Sequence, residues 1–273
     1  MAIFLNSGKK IKSIWWVLIF FLFLSVLLFP LIILADRCSF EVTMTHQVIM
    51  IMVVSVICQL LRRKPMGELT GSMNLVWVKE LIAGLSIGAL LMVLPVLPLT
   101  VLGYIHWQAD AFSCSTIQSG LLLFLSAAIA EELLFRGFVF QRLIQAVGNW
   151  PAQFIIASFF LLTHIDNPGM TGTVKVMASL NIFIASFLFG IAYIKTKSLA
   201  MPLGLHFMAN FMQGTVLGFG VSGGKDPGLF KPVFADAPVW LSGGDFGMEA
   251  SIGGLFFVTL ITVSFYYCYP TKK

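Results

Sequence analysis

Long apolar runs separated by short polar connections set the pattern of this chain. No charged residue occurs from Ser13 to Ala35 or from Val42 to Leu61, and each run is long enough to cross a hydrocarbon core as a helix. Further apolar stretches follow at about Leu81 to Leu102, from Ile117, from Pro151 to Thr163-His164, from Val174 to Ile194, from Ser198, and at about Ala250 to Cys268. Between them lie Arg62-Arg63-Lys64-Pro65, a loop through Tyr104, His106 and Asp110, the turns Gly148-Asn149-Trp150-Pro151 and Asp166-Asn167-Pro168-Gly169, and a Gly-, Pro- and Asp-containing loop from Ser222 to Gly247. Lipid offers the backbone no hydrogen bonds, so spanning segments are helices or a closed barrel. Unbroken runs of this length predict helices, because barrel strands alternate over about ten residues. The pattern therefore predicts an all-α polytopic membrane protein, a bundle of about eight transmembrane helices forming a single transmembrane domain over residues 1–273.

Composition strengthens the membrane assignment: the chain is 58% hydrophobic and only 11% charged, against about half and a quarter in soluble domains. Charge then orients it. Lys9, Lys10 and Lys12 precede the first apolar run, which is too long for a signal peptide and is followed by no small-residue cleavage site, so a retained span is expected. Of the 17 Lys and Arg, the assigned topology puts 12 inside, leaves Arg37, Lys175, Lys225 and Lys231 outside, and keeps Arg136 within a span. Both termini are thereby predicted to be cytoplasmic. The formal charge of +5 is accounted for by inner-face basic residues meeting anionic membrane lipid, and it does not suggest nucleic acid. Cys38, Cys58, Cys114 and Cys268 form no Cys-x-x-Cys pair; Cys38 and Cys114 fall on the same predicted outer side, where a disulfide is possible, but four unpaired thiols are the expectation.

The charged groups inside the spans are few. Glu131-Glu132-Leu133-Leu134-Phe135-Arg136 interrupts an otherwise apolar stretch, at a cost on insertion scales of about 2.5–3.5 kcal/mol for each ionised group at a helix centre. Residues four apart share a helix face, so Glu132 and Arg136 can pair, while Glu131 points about 100° away and is free for another partner. His206 and Asn210 likewise present side by side, and His164 ends its own apolar run with Phe160 one turn earlier. His46 and His106 lie near span ends and are expected to be structural. At about 1.5 Å of rise per residue, His206 lies about 12 Å, Asn210 about 18 Å and Glu131 about 9 Å from the inner face, with His164 less well matched at about 20 Å. Taken singly, a buried Glu–Arg pair can lock two helices and a membrane histidine can be a hydrogen-bonding spacer. Together the residues point to a polar cavity fed by three helices.

The order Glu131-Glu132-x-x-x-Arg136, Phe160-x-x-x-His164 and His206-x-x-x-Asn210, on separate predicted helices, resembles the CPBP intramembrane proteases, also called the Abi or CAAX protease-like family, related to the prenyl-protein endopeptidase of the endoplasmic reticulum. The resemblance covers roughly Gly120 to Gln213, with a family-like catalytic core at about 117–215; the first hundred residues and the loop after Ser222 carry no such signature. It implies a peptide hydrolase acting on a membrane-associated protein or peptide. Glu131 would be the general base that activates water, His164 would help hold or polarise that water, and His206 and Asn210 would donate hydrogen bonds to a tetrahedral oxyanion, with Glu132 and Arg136 as supports. A carboxylate in an apolar pocket makes a better base because burial disfavours its charged form, and oxyanion donors are typically worth a few kcal/mol.

Two alternatives stand beside this expectation of a cofactor-free enzyme. Glu131, His164 and His206 could ligate zinc with an open position for water, although the His-Glu-x-x-His helix of zinc proteases is absent. The chain could also be a non-catalytic immunity or assembly factor. A transporter is disfavoured because no internal repeat or pair of broken helices is evident. A multi-pass protein of a bacterial-type cell (inner) membrane is the expected location, since the N-terminal span has no visible organelle address.

Overall fold

The computed structural model describes residues 4–5, 11–109 and 113–272. Lys9, Lys10, Asp110 and Lys273, which enter the predicted topology, lie outside the described residues. The chain is an all-α membrane protein. Four helices are long and apolar enough to cross a membrane: α1 (Ser13–Cys38), α2 (Met44–Arg62), α4 (Leu75–Val101) and α8 (Gly172–Thr196). A four-residue helix, α3 (Gly67–Thr70), sits in the connection between α2 and α4. The remaining predicted runs are also helical, but interrupted or shorter. The fourth is α5 (Cys114–Glu132), a π-helical turn at Leu133–Phe138, and α6 (Val139–Val147). The fifth is α7 (Asn149–Leu162), and the seventh is α9 (Ala200–Phe211) running into a second π-helical turn at Met212–Val216. After a short α10 (Val239–Ser242), α11 (Ile252–Cys268) ends the chain of helices.

The first π turn contains the bend. Gly137 departs from helical geometry at φ −76° and ψ −108°, and the chain beyond it turns into α6. Phe138 at the end of this turn stacks on Phe20 of α1 with centroids 5.1 Å apart, which fixes the bend against the first helix. His46 contributes to the fold as expected: it forms a reciprocal cap with Thr43 at the start of α2. His106 is exposed. All four cysteines are free thiols.

At the predicted inner end, Glu68 on α3 pairs with Arg62 at 2.6 Å and with Arg142 at 3.4 Å, while buried Leu69 offers its carbonyl to Gln141. Lys272 reaches Glu80 at the start of α4, 2.6 Å away. The opposite end carries the one departure from an all-helical expectation among the described residues: two outer connections pair as an antiparallel ribbon, β1 (Ile105–Ala109) with β2 (Phe230–Phe234), in register Ile105↔Phe234 and Ala109↔Phe230. Trp107 holds the ribbon to the bundle by packing edge-on to Phe219 and Phe230 and by donating to Thr100 Oγ1. Ribbons this short have no periodic signal of their own, and they form here because two loops on one side of the bundle meet.

The packing that matters most for the site is that of α4 on α9. Gly84 and Gly88 lie directly against the carbonyls of Met201 and Leu205, and Gly204 of α9 lies against the carbonyl of Leu81. A Cβ at any of these three would lie 2.3–2.4 Å from a backbone oxygen, well inside van der Waals contact distance. Small residues let helix backbones approach closely in lipid, where dispersion rather than hydrophobic burial drives association. Gly88→Ala is accordingly expected to force α4 from α9 and cost about 1–3 kcal/mol, read as a lowered Tm of the purified protein. Ile82→Ala, on the same helix but 55% exposed, should leave it unchanged.

Candidate functional site

Glu131, His164, His206 and Asn210 all line one cavity of about 570 Å³, together with Phe160, Phe189 and other side chains from α2, α4 and α8. The volume is that of an ordinary small-ligand or peptide-segment pocket. The sequence motifs thus come together in space as expected, from the end of α5, the turn after α7, and α9.

Beneath the cavity, Glu132 and Arg136 form the expected pair one turn apart, 3.1 Å between Nη1 and Oε1, with both side chains almost wholly buried. Arg136 also donates through Nη2 to the Ser186 hydroxyl (2.8 Å) and carbonyl (3.2 Å) on α8. Its guanidinium lies between the rings of Phe160 and Phe189, each centroid 4.9 Å away. Ring faces and fixed acceptors are what make a buried guanidinium tolerable.

His206 does not stand apart from this pair. Its Nδ1 lies 2.9 Å from the same Glu132 oxygen that Arg136 holds. Because a carboxylate can only accept, Nδ1 carries the hydrogen. The ring is stacked on Phe189 at 4.9 Å and 10°, with Phe160 edge-on. Nε2 is therefore the atom left for chemistry, and it sits 3.8 Å from Glu131 Oε2. Glu132 is consequently more than a helix support, since it also sets the tautomer and orientation of His206. Glu131 Oε2 itself receives no hydrogen bond from a described residue.

His164 is fixed in a parallel way. Nδ1 lies 2.8 Å from the carbonyl of Phe160, so Nδ1 donates and Nε2 is left without a hydrogen-bond partner among the described residues. Phe160 touches His164, His206 and Arg136, which gives the Phe160-x-x-x-His164 spacing a physical purpose: one ring and one carbonyl place both imidazoles. Asn210, one turn beyond His206, makes no side-chain hydrogen bond to a described residue and reaches the cavity wall.

Among the described residues no three His, Cys, Asp or Glu side chains are grouped so that they could hold a metal ion. Glu131, His164 and His206 share the cavity, and each imidazole leaves Nε2 free while its Nδ1 is held by its own acceptor, an arrangement that serves a hydrogen-bond donor and a metal ligand alike.

The cavity also has a wall that the motifs did not announce. Glu249, in a short turn (Met248–Ala250) just before α11, lines it, as do Asn167 and Ser222. One Glu249 oxygen accepts from the Ser222 backbone N–H and hydroxyl and from Gln213. Burial pushes the Glu249 carboxyl above the usual carboxylate range, against the opposing pull of the Ser222 and Gln213 bonds and of nearby His164. In the sequence this residue is one acid in a polar loop, with no spacing to set it apart from a solvated one.

The fold and the site define a helical membrane protein with a carboxylate and two imidazoles brought into one partly open cavity. Residues 113–212 match the family model described as type II CAAX prenyl endopeptidase Rce1-like, a family of proteases. All seven motif residues fall within the matched segment, and Gln213, Ser222 and Glu249 fall beyond it. No curated protein and no solved structure matches the chain.

Proposed function

We propose that the protein is an intramembrane endopeptidase that hydrolyses a peptide bond of a membrane-associated protein or peptide without a metal. The observation that supports this reading best is the convergence of Glu131, His164, His206 and Asn210 on one cavity from three separate segments of the matched region. In this reading Glu131 takes a proton from water as the water oxygen bonds to the carbonyl carbon. His164, with Nδ1 committed to Phe160, presents Nε2 to hold that water. The carbonyl π electrons move to oxygen, and the oxyanion accepts hydrogen bonds from the Asn210 amide and from Nε2–H of a protonated His206. Collapse breaks the C–N bond, and the proton held by Glu131 passes to the departing amine. Such donors are worth most when they are fixed before the reaction, which the Glu132–His206 bond provides.

The same reading takes the chain as a single domain of eight spans, with both termini cytoplasmic, in a cell (inner) membrane. The gathering of Arg62, Arg142 and Lys272 at one end, opposite the ribbon, supports that orientation.

The test is a comparison of membrane proteomes from cells carrying wild-type and Glu131→Gln protein. A substrate whose shortened form disappears in the variant is expected; an unchanged proteome with the biological phenotype retained would instead favour a non-catalytic immunity or assembly factor. Cleavage by purified protein is expected to survive a chelator. Loss in chelator with recovery on adding zinc would replace the metal-free mechanism.

A further inference from the structure

The contacts of Glu249 tie together two segments that the motifs treat separately. Asn167, three residues after His164, donates through Nδ2 to the carbonyl of Ser222 at 3.0 Å. Ser222 turns back through its N–H and hydroxyl to Glu249 Oε1, the latter bond 3.1 Å long. The same oxygen accepts from Gln213 Nε2 at 3.3 Å, and Gln213 lies three residues after Asn210 in the π turn. Gln213 Nε2 is further held by the Gly220 carbonyl at 2.7 Å. The geometry leaves little slack: Ser222 is in the left-handed region at φ 49°, Gly223 lies against the Pro168 carbonyl, and Gly247 lies against Gln213 and the Gly220 carbonyl. One carboxylate oxygen is thus the common acceptor between the His164 turn and the helix of His206 and Asn210, and Asn167, Ser222 and Glu249 all line the cavity that those residues line.

We propose that Glu249 is a positioning residue, which through Ser222 and Gln213 holds the His164 turn and the Asn210 helix in register across the cavity. Its catalytic consequence rests on the endopeptidase reading; its mechanical part does not. A carboxylate suits this role because a single oxygen can accept several hydrogen bonds at once, and bonds to a charged acceptor are the stronger ones. A neutral amide in its place keeps one acceptor oxygen and loses the charge.

The test compares full-length wild-type, Glu249→Ala, Glu249→Gln and Ser222→Ala proteins in lipid nanodiscs by hydrogen–deuterium exchange, with cleavage measured on the substrate found through the Glu131→Gln comparison. Glu249→Ala is expected to speed exchange in both 160–170 and 208–224 while α1 and α2 keep their protection. It is expected to lower kcat by about 10–100-fold, the scale of a small misplacement of reacting groups, with KM little changed. Glu249→Gln should recover most of both, and Ser222→Ala should loosen 160–170 more than 208–213. Unchanged exchange in either segment overturns the proposal, as does faster exchange throughout the chain with Gln no better than Ala. Should Glu249→Ala not fold, the Gln and Ser222 variants decide by the same two segments. If Glu131→Gln cleaves like wild type, the endopeptidase reading falls, and the exchange data still decide whether Glu249 couples the two segments.

Discussion

Glu131→Gln protein is expected to fold like wild type and to cleave its substrate about 10²–10⁴-fold more slowly, the usual contribution of a general base. The side chain makes no hydrogen bond to a described residue, and its nearest charged neighbour is His206 Nε2 at 3.8 Å. Gln has the same shape and cannot take a proton from water. Because no hydrogen bond is lost and only the attraction to His206 across 3.8 Å is removed, Tm should fall little, by about 0–1 kcal/mol of stability. Reconstituted protein assayed for cleavage and Tm side by side checks this; a variant that cleaves at the wild-type rate would remove Glu131 from the role of base.

The neighbouring carboxylate should behave in the opposite way. Glu132→Gln leaves the Arg136 guanidinium buried with Ser186 and two ring faces but no countercharge. Removing one partner of a buried pair typically costs about 3–5 kcal/mol, so poor accumulation and a markedly lower Tm are expected. Replacing both members, as Glu132→Met with Arg136→Met, removes the stranded charge and should recover much of the stability. Activity should not return with it, because His206 Nδ1 loses its acceptor and the ring is no longer held in one tautomer. A double variant both stable and active would show that the Glu132–His206 bond is dispensable. Adjacent residues in one motif are thus expected to fail differently, one in chemistry and one in folding.

This contrast was partly legible in the sequence. The i,i+4 spacing of Glu132 and Arg136 led directly to the observed pair, and the same spacing set His206 beside Asn210. The second bond of Glu132 was not legible, because it joins residues 74 apart and depends on how closely α9 approaches α5. The means of placing α9 did lie in plain view, at Gly84 and Gly88, within the first hundred residues that offered no motif. Glycines in an apolar helix read as neutral filler until a facing carbonyl is seen. Glu249 was hidden for the reverse reason: an acid in a polar loop is ordinarily solvated, and only the return of that loop over the cavity gives it three donors. The β1–β2 ribbon depends on the same return of the outer loops.

Two of the three helices that bear motif residues wind into a π turn, at Leu133–Phe138 after Glu131-Glu132 and at Met212–Val216 after Asn210. A π turn accommodates one more residue than the α-helix around it, and each α-helical residue is worth about 100° of rotation. Chain length here is therefore a gear setting. Closing either turn to α-helix without removing a residue would swing everything downstream by about 100° round the axis, carrying Gln141 away from Leu69 in one case and Phe219 away from the ribbon in the other. The local composition would scarcely change, and the two halves of the bundle would no longer mesh.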